Sequence, residues 1–392
     1  MITDTIKDPR ISLFEDLLSI IKEDRPQKPH SITKVPVGQY YDPHWFAHEW
    51  SEIFTKNPIV VGVSSMIANP GDHFTNDLLG IPLLVVRGKD GRLRCFHNVC
   101  RHRGVRLSNN QTVGSTKTFS CPYHHWTYDL EGRLIFVPAE EGFPDLDKSC
   151  YSLKEVPLVE KYGLIWVNPY SDESIDIDDF LGNIAFDVED FGLNSAHFFK
   201  QNIHNNSANW KLHIEAFQDG YHVTRLHNKT VGGFFRDNMA VQEREKDHIR
   251  SIVARKGIEE ILESSRESWD FRNHGSFSHF IWPNTVIVVH PDYLSQVTFY
   301  PLNAEETTIV HNCVINEKAT TEKAIAHFEK SFDLIDKGVF SSEDFYVCQQ
   351  AQKGLKSGAN EYFTIGGYES GLRQFHEILF EKTGKYQNKS KA

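Results

Sequence analysis

Cys100-Arg101-His102-Arg103-Gly104, then sixteen residues, then Cys121-Pro122-Tyr123-His124-His125-Trp126 is the stretch from which this 392-residue chain is best read. Two thiolates and two imidazoles in two short pairs can hold a metal centre without help from any other segment. Two centres use that mixture. In one, four side chains close a tetrahedron around a single zinc ion. In the other, two Cys hold one iron of a [2Fe-2S] cluster and two His hold the other, which raises its potential relative to all-Cys clusters. The order favours the cluster, because zinc fingers usually write two Cys together and then two His together, whereas each pair here contains one of each. Each pair can then reach both irons. Gly104 removes a side chain where backbone N–H groups approach cluster sulfurs, and Arg101 and Arg103 add positive charge nearby.

These residues resemble the Rieske domain of ring-hydroxylating oxygenases, C-x-H-R-G followed by C-x2-H-x-W, with a rather long gap of eighteen residues between His102 and Cys121. The expected cluster ligands are Cys100, His102, Cys121 and His124. Cys95-Phe96-His97 also reads C-x-H, but it follows the Asp90-Gly91 turn as a strand and belongs to the framework. His125 breaks the spacing of the second pair and reads as a packing or supporting residue.

Composition sets outer limits. The chain is long enough for two or three domains, and its 40% hydrophobic and 12% aromatic content is globular. A formal net charge of −11 argues against nucleic acid or an anionic membrane as partner. The six Cys are scattered, which suits a reducing compartment better than a disulfide framework. With no apolar run of membrane-spanning length and no signal-peptide core at the N-terminus, a cytoplasmic protein is expected.

Along the chain, Ile11 to Ile21 reads as a helix whose apolar stripe packs on the body, since Glu15, Asp16 and Glu23 surround it and no basic face is present. Arg25 to Pro29 reads as a connector, and Asp42 to Phe54 as a helix capped by Asp42. Short β-rich runs with hairpin turns at Asp90-Gly91 and Glu131-Gly132 follow, up to Leu164–Val167. The second half carries helical composition over Asn209–His222. The runs His248–Ala254, Thr285–Val289, Leu294–Tyr300 and Thr307–Asn316 should pair as an antiparallel sheet. A helix over Thr321–Lys337, stopped by Gly338, precedes a last long one over Ser342–Lys356. The expected domains are 1–44 as a helical segment, 45–168 as an all-β cluster domain and 169–392 as a catalytic domain. G-x-G-x-x-G and Walker motifs are absent.

The other informative stretch runs from Asn209-Trp210-Lys211 to His227 and places Asp219, His222 and His227 close together. In a straight helix five residues advance about 500°, leaving the two His about 140° apart, so both face one ion only if the helix ends or bulges. Two imidazoles and one carboxylate leave open positions on Fe(II), as in mononuclear iron oxygenases. The pattern N-W-K-x7-D-x2-H-x4-H resembles the iron site of the same oxygenases. In that family a distant carboxylate, in E-D followed by Q-x-G-L, completes the set. Glu343-Asp344 and Gln352-Lys353-Gly354-Leu355 match, which implies Asp344 as third ligand, although S-x-x-D over Ser341–Asp344 also fits a helix cap. His213 reads as packing.

The resemblance covers residues 40 to 380 and implies the α subunit of a Rieske non-haem iron oxygenase. The implied fold is α+β, an N-terminal all-β Rieske domain followed by a C-terminal helix-grip domain with an antiparallel sheet. Electrons are then expected to reach a mononuclear Fe(II) through the cluster, supplied by a separate ferredoxin or flavin reductase that draws on NAD(P)H. Oxygen from O2 enters a small organic substrate. Asp219 is implied to link an iron-ligand His to a cluster-ligand His of a neighbouring subunit in a ring, most often a homotrimer, with or without a small subunit. Aromatic residues such as Phe277, Phe280 and Trp282 suit an arene, the first reading. They suit a quaternary ammonium or N-methyl compound through cation–π contact as well, and the C-terminal half has some likeness to choline monooxygenase-like members. A Rieske electron-transfer protein is the rival of another class, but it needs neither His222, His227 and Asp344 nor a second domain.

Overall fold

The computed structural model describes residues 9–26, 31–109, 112–266 and 269–384, so the connector at Arg25–Pro29 lies largely outside the described residues. The chain divides into two compact units, Phe54–Ile177 and a larger one formed by Met1–Ile53 with Asp178–Ala392. The N-terminal segment thus belongs to the larger unit. Its helix, Pro9–Lys22, buries Leu13, Phe14, Leu17, Leu18 and Ile21, and Phe14 packs against Phe271 with ring centroids 4.9 Å apart. Thr33–Pro36 pairs antiparallel with Tyr362–Ile365, tying the beginning of the unit to its end. No helix among the described residues is long and apolar enough to cross a membrane.

The smaller unit is all-β apart from short helical turns. Five strands lie in the order Glu155–Val156, Leu93–His97, Leu83–Arg87, Asp72–Asn76 and Gly114–Ser115. Leu158–Lys161, Leu164–Val167 and Ile59–Val63 form a second sheet. Phe119–Ser120, Thr127–Tyr128 and Leu134–Phe136 form a third. Cys95 is buried in the middle of the first sheet, opposite Val85 and Val156, the framework position expected of a strand that follows the Asp90-Gly91 turn.

The larger unit is built on one seven-stranded antiparallel sheet. Its order is His197–Asn206, Glu306–Ile315, Tyr293–Asn303, Thr285–Val289, Gly275–Ile281, His248–Arg255 and Phe235–Glu245. The four β-branched runs lie inside it. The sequence reading missed Phe235–Glu245, His197–Asn206 and Gly275–Ile281. The first two are rich in charged and amide side chains, which mask their strand period, and both are edge strands with one free side.

Gly338 does not stop a helix. Glu322–Asp333, the π-helical Leu334–Asp344 and Phe345–Leu355 follow one another without a break. A wide π turn accommodates Gly338 inside the run, and such insertions are frequent at functional sites. Asp344 is therefore inside the helical run and makes no capping bond, which removes the capping-box reading.

Candidate metal centres

The two cluster loops are closed in the same way. Cys100 N–H donates to the Val105 carbonyl and Gly104 N–H to the Cys100 carbonyl; Cys121 N–H donates to the Trp126 carbonyl and His125 N–H to the Cys121 carbonyl. The fifth residue of each loop is left-handed, with φ of 78° at Gly104 and 57° at His125. A Cβ at Gly104 meets nothing within 4 Å, so its backbone angle, not crowding, calls for glycine. His125 is an exposed loop residue rather than a packing one, and it stands where the first loop has its glycine.

The ligand types are sorted in space. Cys100 and Cys121 are each 2% exposed, while the His102 and His124 rings approach to 4.8 Å. Trp126 stacks on His102 at 4.7 Å. Burial pushes the Cys121 thiol up, the Tyr123 and His124 N–H groups aimed at it pull it down, and the Cys100 thiol beside it pushes it up again. Tyr128 donates or accepts at the Cys100 sulfur, 3.4 Å away, and accepts from Arg101 N–H at 2.9 Å. Paired thiols and paired imidazoles fit a two-iron centre with Cys on one iron and His on the other.

In the larger unit the Trp210–Gln218 helix is fixed at its start. Asn209 caps it by accepting from Lys211 N–H at 3.0 Å. Lys211 Nζ, fully buried, meets Glu49 at 2.6 Å, and Trp210 Nε1 donates to Glu49 at 3.1 Å. Gln352 accepts from Asn209 N–H at 2.9 Å and donates to the Tyr40 carbonyl at 3.1 Å. The N-W-K and Q-x-G-L motifs therefore touch, clamping the Asp344-bearing helix onto the His-bearing segment.

After Gln218 the helix ends. Asp219 accepts from Tyr221 N–H at 2.7 Å, and a short helical turn, Val223–Leu226, separates His222 from His227. His227 leaves helical geometry with ψ of 21°, so the helix ends where the periodicity argument requires it to.

Both imidazoles are held through Nδ1 by a carboxylate, His222 by Asp219 at 3.2 Å and His227 by Glu343 at 2.7 Å. Thr230 Oγ1 donates to the same Glu343 oxygen at 2.7 Å. Both Nε2 atoms then face one point. They lie 3.1 Å apart, and Asp344 Oδ1 is 3.5 and 3.3 Å from them. Ligand atoms about 2.1 Å from a common ion at near-right angles are roughly 3 Å apart. Asp344 Oδ1 is buried without a hydrogen-bond partner, and the three donors are the only group of this kind among the described residues. Burial opposes charge on His222, yet Asp219 and Asp344 outweigh it and hold the imidazolium well above its ordinary range. Three carboxylates around two imidazoles make an anionic pocket suited to a cation.

The role of Glu343 was not legible beforehand: it steadies His227 rather than meeting the common point. The adjacent E-D pair was the signal available. His213 is buried, stacked at 5.8 Å on Phe299, and pushed down by burial to about 3, in keeping with packing.

A cavity of about 230 Å³ opens beside His222, His227 and Asp344. Its walls are mainly apolar and include Phe217, Phe277 and Phe340. A fixed pair of imidazoles, an adjacent carboxylate and an apolar cavity, in a chain that also carries a Cys2His2 loop pair, define a two-centre metalloprotein.

Comparison with known proteins agrees. Residues 57–157 match the Rieske [2Fe-2S] domain model, and residues 191–384 match the ring hydroxylating alpha subunit (catalytic domain) model. The chain is 31% identical over 273 residues to the glycine betaine monooxygenase oxygenase subunit of Chromohalobacter salexigens, covering 70% of this chain and 59% of that protein. It is 28% identical over 382 residues to the carnitine monooxygenase oxygenase subunit of Escherichia coli, covering 92% and 96%. Among solved structures, the quaternary ammonium Rieske monooxygenase CntA with L-carnitine superposes with TM-score 0.76 at 23% identity, over 90% of this chain and 96% of that one. Naphthalene 1,2-dioxygenase with indole gives 0.73 at 21%, over 90% and 92%, so the fold is common to both. The chain belongs to the Rieske non-haem iron oxygenases, as an oxygenase (α) subunit.

Proposed function

We propose that this chain is the terminal oxygenase component of a monooxygenase system acting on a quaternary ammonium or N-methyl compound. The observation that carries the reading is the aromatic cavity beside His222, His227 and Asp344, in a chain whose relatives include glycine betaine, carnitine and choline monooxygenases. Aromatic faces attract an alkylammonium without a carboxylate having to meet it. The aromatic substrate read first from the sequence suits the same apolar walls and is the second reading.

Cys100, Cys121, His102 and His124 would hold the cluster, and His222, His227 and Asp344 the mononuclear iron. When bound, the cluster supplies one-electron transfer and the iron supplies oxygen activation. Asp219 and Glu343 fix each ring by accepting its Nδ1–H, which leaves both Nε2 lone pairs aimed inward. The apolar walls exclude bulk water from the reacting end. Asp219 would also meet His124 of the partner subunit in a head-to-tail trimer. A ferredoxin or flavin reductase would deliver electrons from NAD(P)H in a reducing, cytoplasmic setting.

Oxygen uptake by the reconstituted system, with product identification, tests this against methylammonium compounds and arenes. Consumption coupled to loss of a methyl group as formaldehyde, or to hydroxylation of the ammonium substrate, is the expected result. Uptake and hydroxylation with arenes alone would overturn it.

A further inference from the structure

Arg255 ends the strand His248–Arg255 and lines the same cavity. Its guanidinium carbon lies 5.9 Å from the Phe234 ring centroid and 5.5 Å from that of Phe235, the residue opposite it across the sheet. Among the described residues its side-chain hydrogen bond runs from Nη1 to Ser276 Oγ at 3.3 Å. No carboxylate of the described residues forms an ion pair with it, Asp219, Glu343 and Asp344 included. The contrast with its neighbours is informative. Arg250, on the same strand, is paired with buried Asp187, and Arg225 meets Asp237 at 2.8 Å. Arg236 meets Asp24 and Glu259, both at 2.7 Å.

A half-buried guanidinium carries five donors and remains charged, so a cavity wall that desolvates it gains from an anion brought by a ligand. Burial already draws the Arg255 pKa down, with only Tyr293 acting the other way. His290, also on the cavity wall, is pushed down to about 3, first by burial, so at neutral pH it adds no competing positive charge. Guanidinium meets carboxylate through a planar fork, and Ser276 Oγ lies beside that fork as a further donor.

We propose that Arg255 is the binding group for a substrate carboxylate, so that the preferred substrate is an ammonium carboxylate. Its N-methyl group lies toward His222, His227 and Asp344, and its carboxylate lies on Arg255 and Ser276. This rests on the quaternary ammonium reading above and narrows it: an ammonium alcohol of the same size lacks the group that Arg255 recognises.

The test uses the cluster- and iron-loaded oxygenase, with Kd by calorimetry and KM by oxygen uptake. The probes are trimethylammonioacetate and choline as one matched pair, and phenylacetate and toluene as another. The wild type should bind trimethylammonioacetate more tightly than choline. Arg255→Gln should weaken the carboxylate member by about 10- to 100-fold while shifting choline by less than about 3-fold, and Arg255→Lys should recover part of the loss. An unchanged visible spectrum and iron content in both variants show that the fold is kept; if Arg255→Gln fails to fold, Arg255→Lys carries the comparison. Equal binding of both ammonium compounds by the wild type, or equal loss for both in Arg255→Gln, overturns the carboxylate site. If only phenylacetate binds and its binding depends on Arg255, the carboxylate site is supported and the ammonium reading fails.

Discussion

The cluster loops and the mononuclear site solve the same problem at different ranges. Each cluster loop closes on itself within six residues, through the same two backbone hydrogen bonds, and presents one Cys and one His. The mononuclear site borrows from far away, with His227 and Glu343 separated by 116 in sequence number. It is assembled by packing of two helical segments, which the Asn209–Gln352 and Leu212–Cys348 hydrogen bonds help to lock together. A site made of local loops can be read as a motif, whereas a site made by packing is visible only as scattered residues.

The sharpest break between the two regions should come from the cluster thiols. Cys121→Ser or Cys100→Ser should abolish the visible iron–sulfur spectrum and all turnover, because serine oxygen is a poor substitute for thiolate. Cys95→Ser, inside the sheet, should keep the colour. A normal spectrum in Cys121→Ser would refute the ligand assignment.

Asp344→Asn attacks the distant half. Since Asp344 makes no capping bond, the amide should leave the fold and the cluster spectrum in place while mononuclear iron and activity are lost. Iron analysis beside the visible spectrum reads both at once. Full iron content would shift the third position to another carboxylate.

Removing the carboxylates behind the imidazoles should act more mildly. Glu343→Gln and Asp219→Asn each lose an anion at Nδ1, a change that typically costs about 10- to 100-fold. They should differ in kind. Glu343→Gln should lower iron affinity. Asp219→Asn should keep most of the iron and slow reoxidation of the reduced cluster in stopped-flow experiments with substrate and O2. Wild-type reoxidation in Asp219→Asn would remove the support for a bridge between subunits.

The smallest effect concerns the backbone of the cluster loops. Gly104→Ala should cost about 1 kcal/mol or more because of its positive φ, while His125→Gly, at the matching position, should be close to neutral in thermal unfolding. A large loss in His125→Gly would give the His125 side chain a role beyond its backbone angle.

The sequence by itself determined the cluster motif, the N-terminal helix with its buried stripe, and four of the five inner strands of the large sheet, Gly275–Ile281 being the exception. In each, the decisive pattern lies within a few residues. Ligand spacing, helical period and β-branched runs are local properties, and so is the need for the helix to end by His227. Other features belong to tertiary structure. The edge strands His197–Asn206 and Phe235–Glu245 look polar until a neighbouring strand gives their backbone partners. Gly338 looks like a helix stop until the π turn absorbs it. Glu343 could equally have been a ligand until its oxygen is seen on His227 Nδ1, and Arg255 is one arginine among many until its cavity is seen and no acidic partner is found among the described residues. Packing decides these because each depends on what lies across a cavity or sheet, and chain order does not record that distance.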